Sequence, residues 1–230
     1  MKNKILTGLL GFFIAILIIT FSIGLPIYVR PFYYVQIDLL EIEKNLSWID
    51  DYAEYDREDI KEAFDEVMDY LTVPGNEFGT GVFPYSEEGK SHFVDCKWLF
   101  DLNITAFIIS LVGVVTLIIL KKKGVYELWR PFGMNIAFSS GAYTLGGFAL
   151  VGGLVALDFN TAFTIFHKIF FPGKDNWIFN PYTDGIIMIL PQDFFMNCAI
   201  LIFSSIILLC LGCICSGLLE LYRAKLDNEL

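Results

Sequence analysis

The chain has 230 residues, of which 55% are apolar, and its mean hydropathy is +0.58. A composition this apolar excludes a soluble enzyme and indicates an integral membrane protein. The formal net charge of −10 and the lack of a basic stripe exclude nucleic acid as a partner. The apolar residues are concentrated in four charge-free runs, at 5–29, 102–120, 131–157 and 194–219.

Each charge-free run can cross a hydrocarbon core about 30 Å thick at about 1.5 Å per residue. The runs lack the alternation over about 10 residues that porin-type strands show, so a barrel is excluded. The sequence predicts an all-α membrane protein with four transmembrane helices, at 1–29, 102–120, 132–157 and 194–219. Apart from Lys2 and Lys4 at the start of the first span, these spans contain no Asp, Glu, Lys, Arg or His. Transport pathways usually include such a residue, so a channel or transporter is disfavoured.

The first run resembles a signal peptide because Lys2 and Lys4 give it a basic start. Its apolar stretch is longer than the usual 7–15 residues or so, and no small-x-small cleavage site follows it. It ends instead at Gly24, Leu25 and Pro26. We interpret the run as an uncleaved first transmembrane helix.

Basic residues set the predicted orientation. Three consecutive lysines open the short loop 121–131, and further lysines and arginines flank both ends of the chain. Basic residues in short loops mark the cytoplasmic side of a membrane protein. We therefore predict a cytoplasmic loop at 121–131, a cytoplasmic tail at 220–230, and extracellular segments at 30–101 and 158–193.

The first extracellular segment contains most of the 26 acidic residues and is predicted to form a helical cap. An amphipathic helix is indicated by apolar residues at helical spacing, and a second helix is predicted from about Gln36 to Trp48. Prolines and glycines from Pro74 onward predict a loop that continues up to His92. The apolar face of the first helix consists of Ile60, Ala63, Phe64, Val67, Met68 and Leu71.

Small residues and cysteines also carry structural expectations. In the third span the pairs Ala142/Gly146, Ala149/Gly153 and Gly152/Ala156 are each four residues apart, which predicts close helix packing. Cys96 and Cys198 both lie near the outer boundary, but we predict that they do not pair. The three cysteines of the last span are interpreted as small core residues.

Only two histidines occur, His92 and His167, and both lie in the outer segments close to a span. Their common depth suggests a shared site, and histidine is the usual general acid or base near neutral pH. Asp95 and Asp184 are candidates to orient the imidazoles, with helix capping or loop hydrogen bonding as the alternative. A metal site is not expected, because no cluster of three or four ligands appears.

The second extracellular segment is rich in aromatic residues. It is too polar for lipid and too apolar for a solvated loop, so it belongs at the membrane–water boundary. Either it forms an ordinary aromatic belt or it lines a pocket at that depth. The candidate pocket residues are Phe163, Phe166, Phe170, Phe171, Trp177 and Tyr182.

Two motifs and the four-span pattern together resemble the bacterial lipoprotein intramolecular transacylase family of Gram-positive bacteria. The first motif is Ser91-His92-Phe93-Val94-Asp95, ahead of the second span. The second begins Phe163-x-x-Phe166-His167-x-x-Phe170-Phe171 and continues with Trp177, Pro181-x-Thr183-Asp184 and Pro191-x-x-Phe194-Phe195. The resemblance covers essentially the whole chain.

The resemblance implies a substrate, a reaction and a location. The substrate would be a diacylglyceryl-cysteine lipoprotein with a free α-amine, whose sn-2 acyl chain moves onto that amine to give the lyso-form lipoprotein. His92 and His167 would be catalytic, in a multi-pass protein of the bacterial cell membrane with its active site on the extracellular side. Membrane lipid would surround the site, and neither a cofactor nor a nucleotide is expected, since no nucleotide motif occurs.

Two other functions remain compatible with the residues alone. A tetraspan adaptor would bind partners through its cap, and it would tolerate loss of both histidines but not disruption of the Phe64–Leu71 face. A different membrane acyltransferase or lipid hydrolase would use the same two histidines, but it would need a separate donor lipid or release free fatty acid.

Overall fold

The fold is that of a computed structural model, which describes residues 2–47, 49 and 54–229. The described residues form helices and one short parallel pair of two-residue strands, β1 (Lys2–Asn3) and β2 (Glu127–Leu128). The prediction of an essentially all-helical protein is confirmed. The helices are α1 (Lys4–Tyr28), α2 (Arg30–Leu39), α3 (Ile42–Leu46), α4 (Arg57–Thr72), α5 (Glu87–Lys122), α6 (Ile136–Leu157), α7 (Phe159–Phe170), α8 (Ile186–Ile189) and α9 (Gln192–Glu229).

Four helices, α1, α5, α6 and α9, are long and apolar enough to cross a membrane. This confirms the four spans that the charge-free runs predict. Most side chains in the apolar windows of these helices are not buried in the structure. Exposed apolar side chains on a helix are what contact with lipid requires, because every backbone polar group is already bonded within the helix.

The chain divides into two compact units. The span unit consists of Met1–Ile23, Asn103–Leu157 and Leu201–Leu230, and the histidine unit of Gly24–Leu102 and Asp158–Ile200. Met1 and Leu230 lie outside the described residues, as does Trp48, where the second predicted cap helix was expected to end.

Within the span unit, α6 approaches α9 closely at Gly141. A Cβ atom added there would lie 2.8 Å from the carbonyl oxygen of Cys210, so only glycine permits this approach. The predicted packing positions are partly wrong, because Gly146 and Gly153 face open space. Gly152 does make a close contact, with the ring of Phe203.

In the histidine unit, α4 forms as its periodicity predicts. Asp56 caps the helix by accepting hydrogen bonds from the backbone N–H groups of Glu58 and Asp59, in a reciprocal capping box. The six apolar residues predicted to share one face are all buried, and they pack against α2, α8 and the start of α9. The Phe64 ring stacks on that of Tyr33 with 3.7 Å between the ring centroids.

The second predicted cap helix, Gln36–Trp48, is wrong in its bounds. The structure has α2 from Arg30 and then α3, separated by Glu41 in a left-handed conformation with φ of 50°. Pro31 explains the earlier start, because proline in the first turn of a helix loses no internal hydrogen bond.

The predicted loop up to His92 is also wrong, because α5 begins at Glu87 and contains His92. Ser86 caps this helix by accepting a hydrogen bond from the Gly89 backbone N–H at 3.0 Å. Glu87 and Glu88 complement the positive end of the helix dipole in the first turn. Gly89 is needed for space, since a Cβ atom there would collide with Asp184.

Candidate active site

The two histidines of the chain lie together inside the histidine unit. His92 is on α5 and His167 is on α7, and their ring centroids are 5.7 Å apart. Each residue is only 6% exposed. The structure therefore brings together two imidazoles that are distant in the sequence and shields both of them from solvent.

His167 is held by the helix that carries it. Asp158 caps α7 by accepting a hydrogen bond from the Thr161 backbone N–H at 3.1 Å, and the helix then places His167 one turn after Phe163. His167 Nδ1 lies 2.7 Å from the carbonyl oxygen of Phe163. A carbonyl oxygen only accepts, so Nδ1 carries the hydrogen and a neutral ring has its lone pair on Nε2.

Burial keeps His167 neutral at physiological pH. Removal from water lowers the pKa of His167, and the hydrogen bond to the Phe163 carbonyl opposes this only in part. A neutral imidazole with a free lone pair is the form that can accept a proton.

His92 has a different set of contacts. Its Nε2 atom lies 3.3 Å from the Sγ atom of Cys96, one turn further along α5. Its Nδ1 atom is buried and has no hydrogen-bond partner among the described residues. Residues 87–101 of α5 precede the charge-free run that is predicted to cross the membrane. Burial, followed by the nearby His167, lowers the pKa of His92 to about 4, against the opposing charge of Asp95.

Aromatic rings enclose both imidazoles. Trp177 stacks on His167 with the ring centroids 4.5 Å apart, and Phe163 lies at 4.3 Å. Phe171 and Phe179 lie 5.0 and 5.5 Å from the His92 ring. Four of the rings that contact the histidines form what we call the aromatic wall, defined as Phe163, Phe171, Trp177 and Phe179.

The remaining predicted pocket residues differ in their contacts. Phe166 also contacts His167, edge-on at 5.4 Å, whereas Phe170 contacts Phe166 rather than a histidine. Tyr182 is 82% exposed and takes no part in the aromatic wall. Phe179 is absent from the predicted set, although its position in the same aromatic segment was a usable signal.

Neither candidate carboxylate hydrogen-bonds to an imidazole in the described structure; both make the loop hydrogen bonds that the sequence left open as the alternative. Asp95 accepts hydrogen bonds from Lys174 at 2.5 Å and from Asn176 at 3.0 Å. Asp184 accepts from the Ser86 backbone N–H at 2.9 Å and from the Ser86 hydroxyl at 2.7 Å. These donors therefore engage the oxygens of both carboxylates.

The two carboxylates hold a segment of chain against α5. This segment, residues 171–185, is called the strap, and it carries Trp177 and Phe179 of the aromatic wall. Asp95 on α5 binds Lys174 and Asn176 of the strap, and Asp184 at the end of the strap binds Ser86 at the start of α5. Partial burial raises the pKa of Asp184, but the hydrogen bonds from Ser86 and Thr183 outweigh it and keep that pKa below its usual value.

The geometry can be set beside known proteins. The family model described as lipoprotein intramolecular transacylase Lit matches residues 8–195. The chain belongs to this family. Its members are membrane transacylases of lipoproteins, so the chain is an enzyme and a multi-pass integral membrane protein. The resemblance seen in the sequence is confirmed.

Solved structures agree with the assignment to the transacylase family. The chain is 25% identical to the lipoprotein intramolecular transacylase Lit of Bacillus cereus, with a TM-score of 0.78 over 98% of this chain and 96% of that chain. A variant of the Bacillus protein in which a histidine is replaced by arginine is 23% identical, with a TM-score of 0.76 over 97% and 94% of the two chains. A variant with alanine in place of a histidine is 24% identical, with a TM-score of 0.73 over 98% and 94%. None of the curated protein sequences matches the chain significantly.

Acid is expected to destabilise the fold through His92. The unfolded chain binds a proton near the ordinary histidine pKa of about 6.5, whereas folded His92 stays neutral down to about pH 4. The free energy of unfolding therefore keeps its full value above about pH 6.5 and falls by about 3 kcal/mol as the pH drops toward 4. Thermal unfolding in detergent across this range measures the effect. The His92→Asn variant should show a shallower fall, and an equal fall in both proteins would contradict the prediction.

Removing the Asp184 carboxylate is expected to destabilise the start of α5. Asp184→Ala leaves the Ser86 N–H without its partner, which costs about 1–3 kcal/mol. The melting temperature should fall, while Ser86→Ala, which keeps the backbone bond, should cost less. The double variant should cost less than the sum of the two single changes, because the residues share one interaction. Full additivity would show that the contact is not a stabilising one.

Proposed function

We propose that the protein moves the sn-2 acyl chain of a diacylglyceryl-cysteine lipoprotein onto the α-amine of that same cysteine. The observation that carries the proposal is the buried pair of neutral imidazoles, 5.7 Å apart behind an aromatic wall, in a chain of the lipoprotein intramolecular transacylase family. The product is the lyso-form lipoprotein, with an amide on cysteine and one ester left on glycerol.

The reaction balances within one molecule. The amine nitrogen forms a bond to the acyl carbon, and the bond from that carbon to the glyceryl oxygen breaks. The amine loses one proton and the glyceryl oxygen gains one. An ester and an amine held on one molecule need orientation more than an energy source, because intramolecular effective concentrations are very high.

His167 is proposed as the general base. An α-amine has an ordinary pKa of about 7.7–8.0, so it is largely protonated at neutral pH and loses one proton to become a nucleophile. The neutral amine then loses a second proton to the base as it attacks the ester. The Phe163 carbonyl fixes the hydrogen of His167 on Nδ1, and this leaves the Nε2 lone pair to accept that proton.

His92 is proposed to donate to the reacting oxygens. Attack on the ester places negative charge first on the carbonyl oxygen and then on the departing glyceryl oxygen. Nδ1 is the ring nitrogen of His92 that has no partner among the described residues, so it is the atom available for such a contact.

The aromatic wall is proposed to receive the glyceryl and acyl parts of the substrate. Its rings suit hydrocarbon chains, and their exclusion of water strengthens every hydrogen bond formed inside. Asp95 and Asp184 are proposed to act as positioning residues, since they hold the strap that carries Trp177 and Phe179.

We place both termini in the cytoplasm and the histidine unit on the extracellular side. The support is the run of three lysines in the loop 121–131, set against the acidic segment 30–101. On this view the cap comprises 30–101 and the aromatic extracellular segment comprises 158–193. A lipoprotein whose signal peptide has been removed presents its amine on that same side.

The adaptor function loses its proposed binding surface. The Phe64–Leu71 face of α4 is buried in the core of the histidine unit. A buried face cannot dock a partner, so the feature that favoured an adaptor is explained by folding.

Expression in a bacterium whose lipoproteins are only diacylated tests the proposed function. Mass spectrometry of the N-terminal lipopeptide should show an unchanged total mass, with one acyl chain moved from ester to amide. A gain of one chain would mean a separate donor, and a loss of one chain would mean hydrolysis. Either result would overturn the proposed transfer.

A further inference from the structure

We propose that the Cys96 thiol is a positioning residue that holds His92 in the tautomer with its hydrogen on Nδ1. The inference rests on the proposed function, in which His92 donates to the reacting oxygens. It concerns one hydrogen bond on α5, from the Cys96 S–H group to His92 Nε2. The Nδ1–H group then donates its hydrogen bond to the ester or glyceryl oxygen of the substrate.

The helix brings the two side chains together. Residues four apart on a helix are neighbours on its surface, and Cys96 follows His92 at this spacing. The Sγ–Nε2 distance of 3.3 Å is short enough for a hydrogen bond to sulfur. A thiol has one hydrogen to give, and an imidazole lone pair is a better acceptor than a sulfur atom.

The environment keeps the thiol in its protonated form. Cys96 is a free thiol on the part of α5 that precedes the charge-free run. Burial raises the pKa of Cys96 to about 12, and the charge of Asp95 adds to this. A thiol that stays protonated can donate a hydrogen bond but is a poor nucleophile. The Cys96–His92 pair is therefore suited to setting a tautomer rather than to forming an acyl-enzyme.

The unpartnered Nδ1 atom is the second observation. A buried polar atom without a hydrogen bond is costly, and native proteins keep few of them. His92 is more than nine-tenths buried, and its Nδ1 atom has no partner among residues 2–47, 49 and 54–229. Substrate would supply the missing acceptor.

The two histidines are then set in opposite tautomers by two different contacts. The Phe163 carbonyl puts the hydrogen of His167 on Nδ1 and leaves a lone pair on Nε2. The Cys96 thiol occupies the Nε2 lone pair of His92 and leaves a hydrogen on Nδ1. One ring is ready to accept a proton and the other is ready to donate a hydrogen bond to the developing negative charge, and the proton that His167 accepts can then pass to the departing glyceryl oxygen.

Two substitutions at position 96 distinguish this positioning role from that of a nucleophilic thiol. Cys96→Ala removes the donor, and it should lower the rate of acyl transfer by roughly 10–100-fold. Cys96→Ser keeps a hydrogen-bond donor but supplies a poorer nucleophile, so it should retain most of the activity. Activity in Cys96→Ala equal to that of the unaltered protein would overturn the proposal. So would a loss in Cys96→Ser as large as that in Cys96→Ala, since this would indicate a nucleophilic thiol.

A direct readout of the tautomers accompanies the rates. The chain has only two histidines, so ¹⁵N labelling of histidine in detergent-solubilised protein gives a spectrum of two rings. We expect His92 to carry its hydrogen on Nδ1 in the unaltered protein and in Cys96→Ser. In Cys96→Ala the balance between the two His92 tautomers should shift away from that form. His167 should keep its signals in all three proteins, which shows that the site is folded. An Nε2-protonated His92 in the unaltered protein would overturn the proposal even where acyl transfer is intact, and failure of acyl transfer alone would overturn the proposed function.

Discussion

Replacing His167 with asparagine is expected to slow acyl transfer by about 10²–10⁴-fold, the usual contribution of a general base. Asparagine has similar size and keeps a hydrogen-bond donor toward the Phe163 carbonyl, so the local fold should survive. It has no lone pair of comparable basicity at the position of Nε2. His92→Asn should also be strongly impaired, because it loses the proposed donor to the reacting oxygens.

The measurement is the fraction of lipoprotein converted from the diacylglyceryl to the lyso form, followed by mass spectrometry at equal amounts of membrane-inserted enzyme. Lys168→Asn is the matched control, because Lys168 is exposed and adjoins His167 on α7. That variant should act like the unaltered protein. A His167→Asn enzyme that works at the normal rate would remove His167 from the mechanism.

The Phe64→Ala substitution is expected to cost about 3–5 kcal/mol of stability, the range found when a buried phenylalanine is truncated. Phe64 is only 2% exposed, and its ring stacks on Tyr33 and meets Phe194 edge-on. Alanine would leave a cavity at the centre of the core of the histidine unit. The loss of this core should also abolish transfer, since α5 and the start of α9 pack against the same cluster.

Thermal unfolding in detergent measures this loss. Glu62→Ala on the same helix is the control, because Glu62 is exposed and alanine favours helix formation. The melting temperature of that variant should stay close to that of the unaltered protein. Equal melting temperatures for the Phe64 and Glu62 variants would show that the core is not organised around Phe64.

The parts of the fold that the sequence predicts are those with a strong local pattern. A charge-free run of sufficient length has few alternatives to a membrane helix, so the four spans follow from charge alone. The helix α4 follows from six apolar residues at helical spacing. In both cases the signal lies within a few turns of chain.

The parts that the sequence does not predict depend on contacts between distant residues. Gly89 indicates a loop when read locally, yet it lies in α5 because Asp184 needs the space. Because the sequence predicts a loop up to His92, it does not show that His92 and Cys96 lie one turn apart on α5. The donors to Asp95 are Lys174 and Asn176, far along the chain, so no local pattern could have shown which donors its carboxylate meets.

The aromatic wall has a consequence for the choice of nucleophile. Under the proposed reaction, the activated ester is open to two nucleophiles, the amine of the same molecule and water. Water attack would strip a chain irreversibly and leave a lipoprotein with a single fatty anchor. The rings of Phe171, Trp177 and Phe179 keep bulk water from the two imidazoles. If the chain catalyses this transfer, the wall preserves both anchors of the lipoprotein, and with them its retention in the membrane.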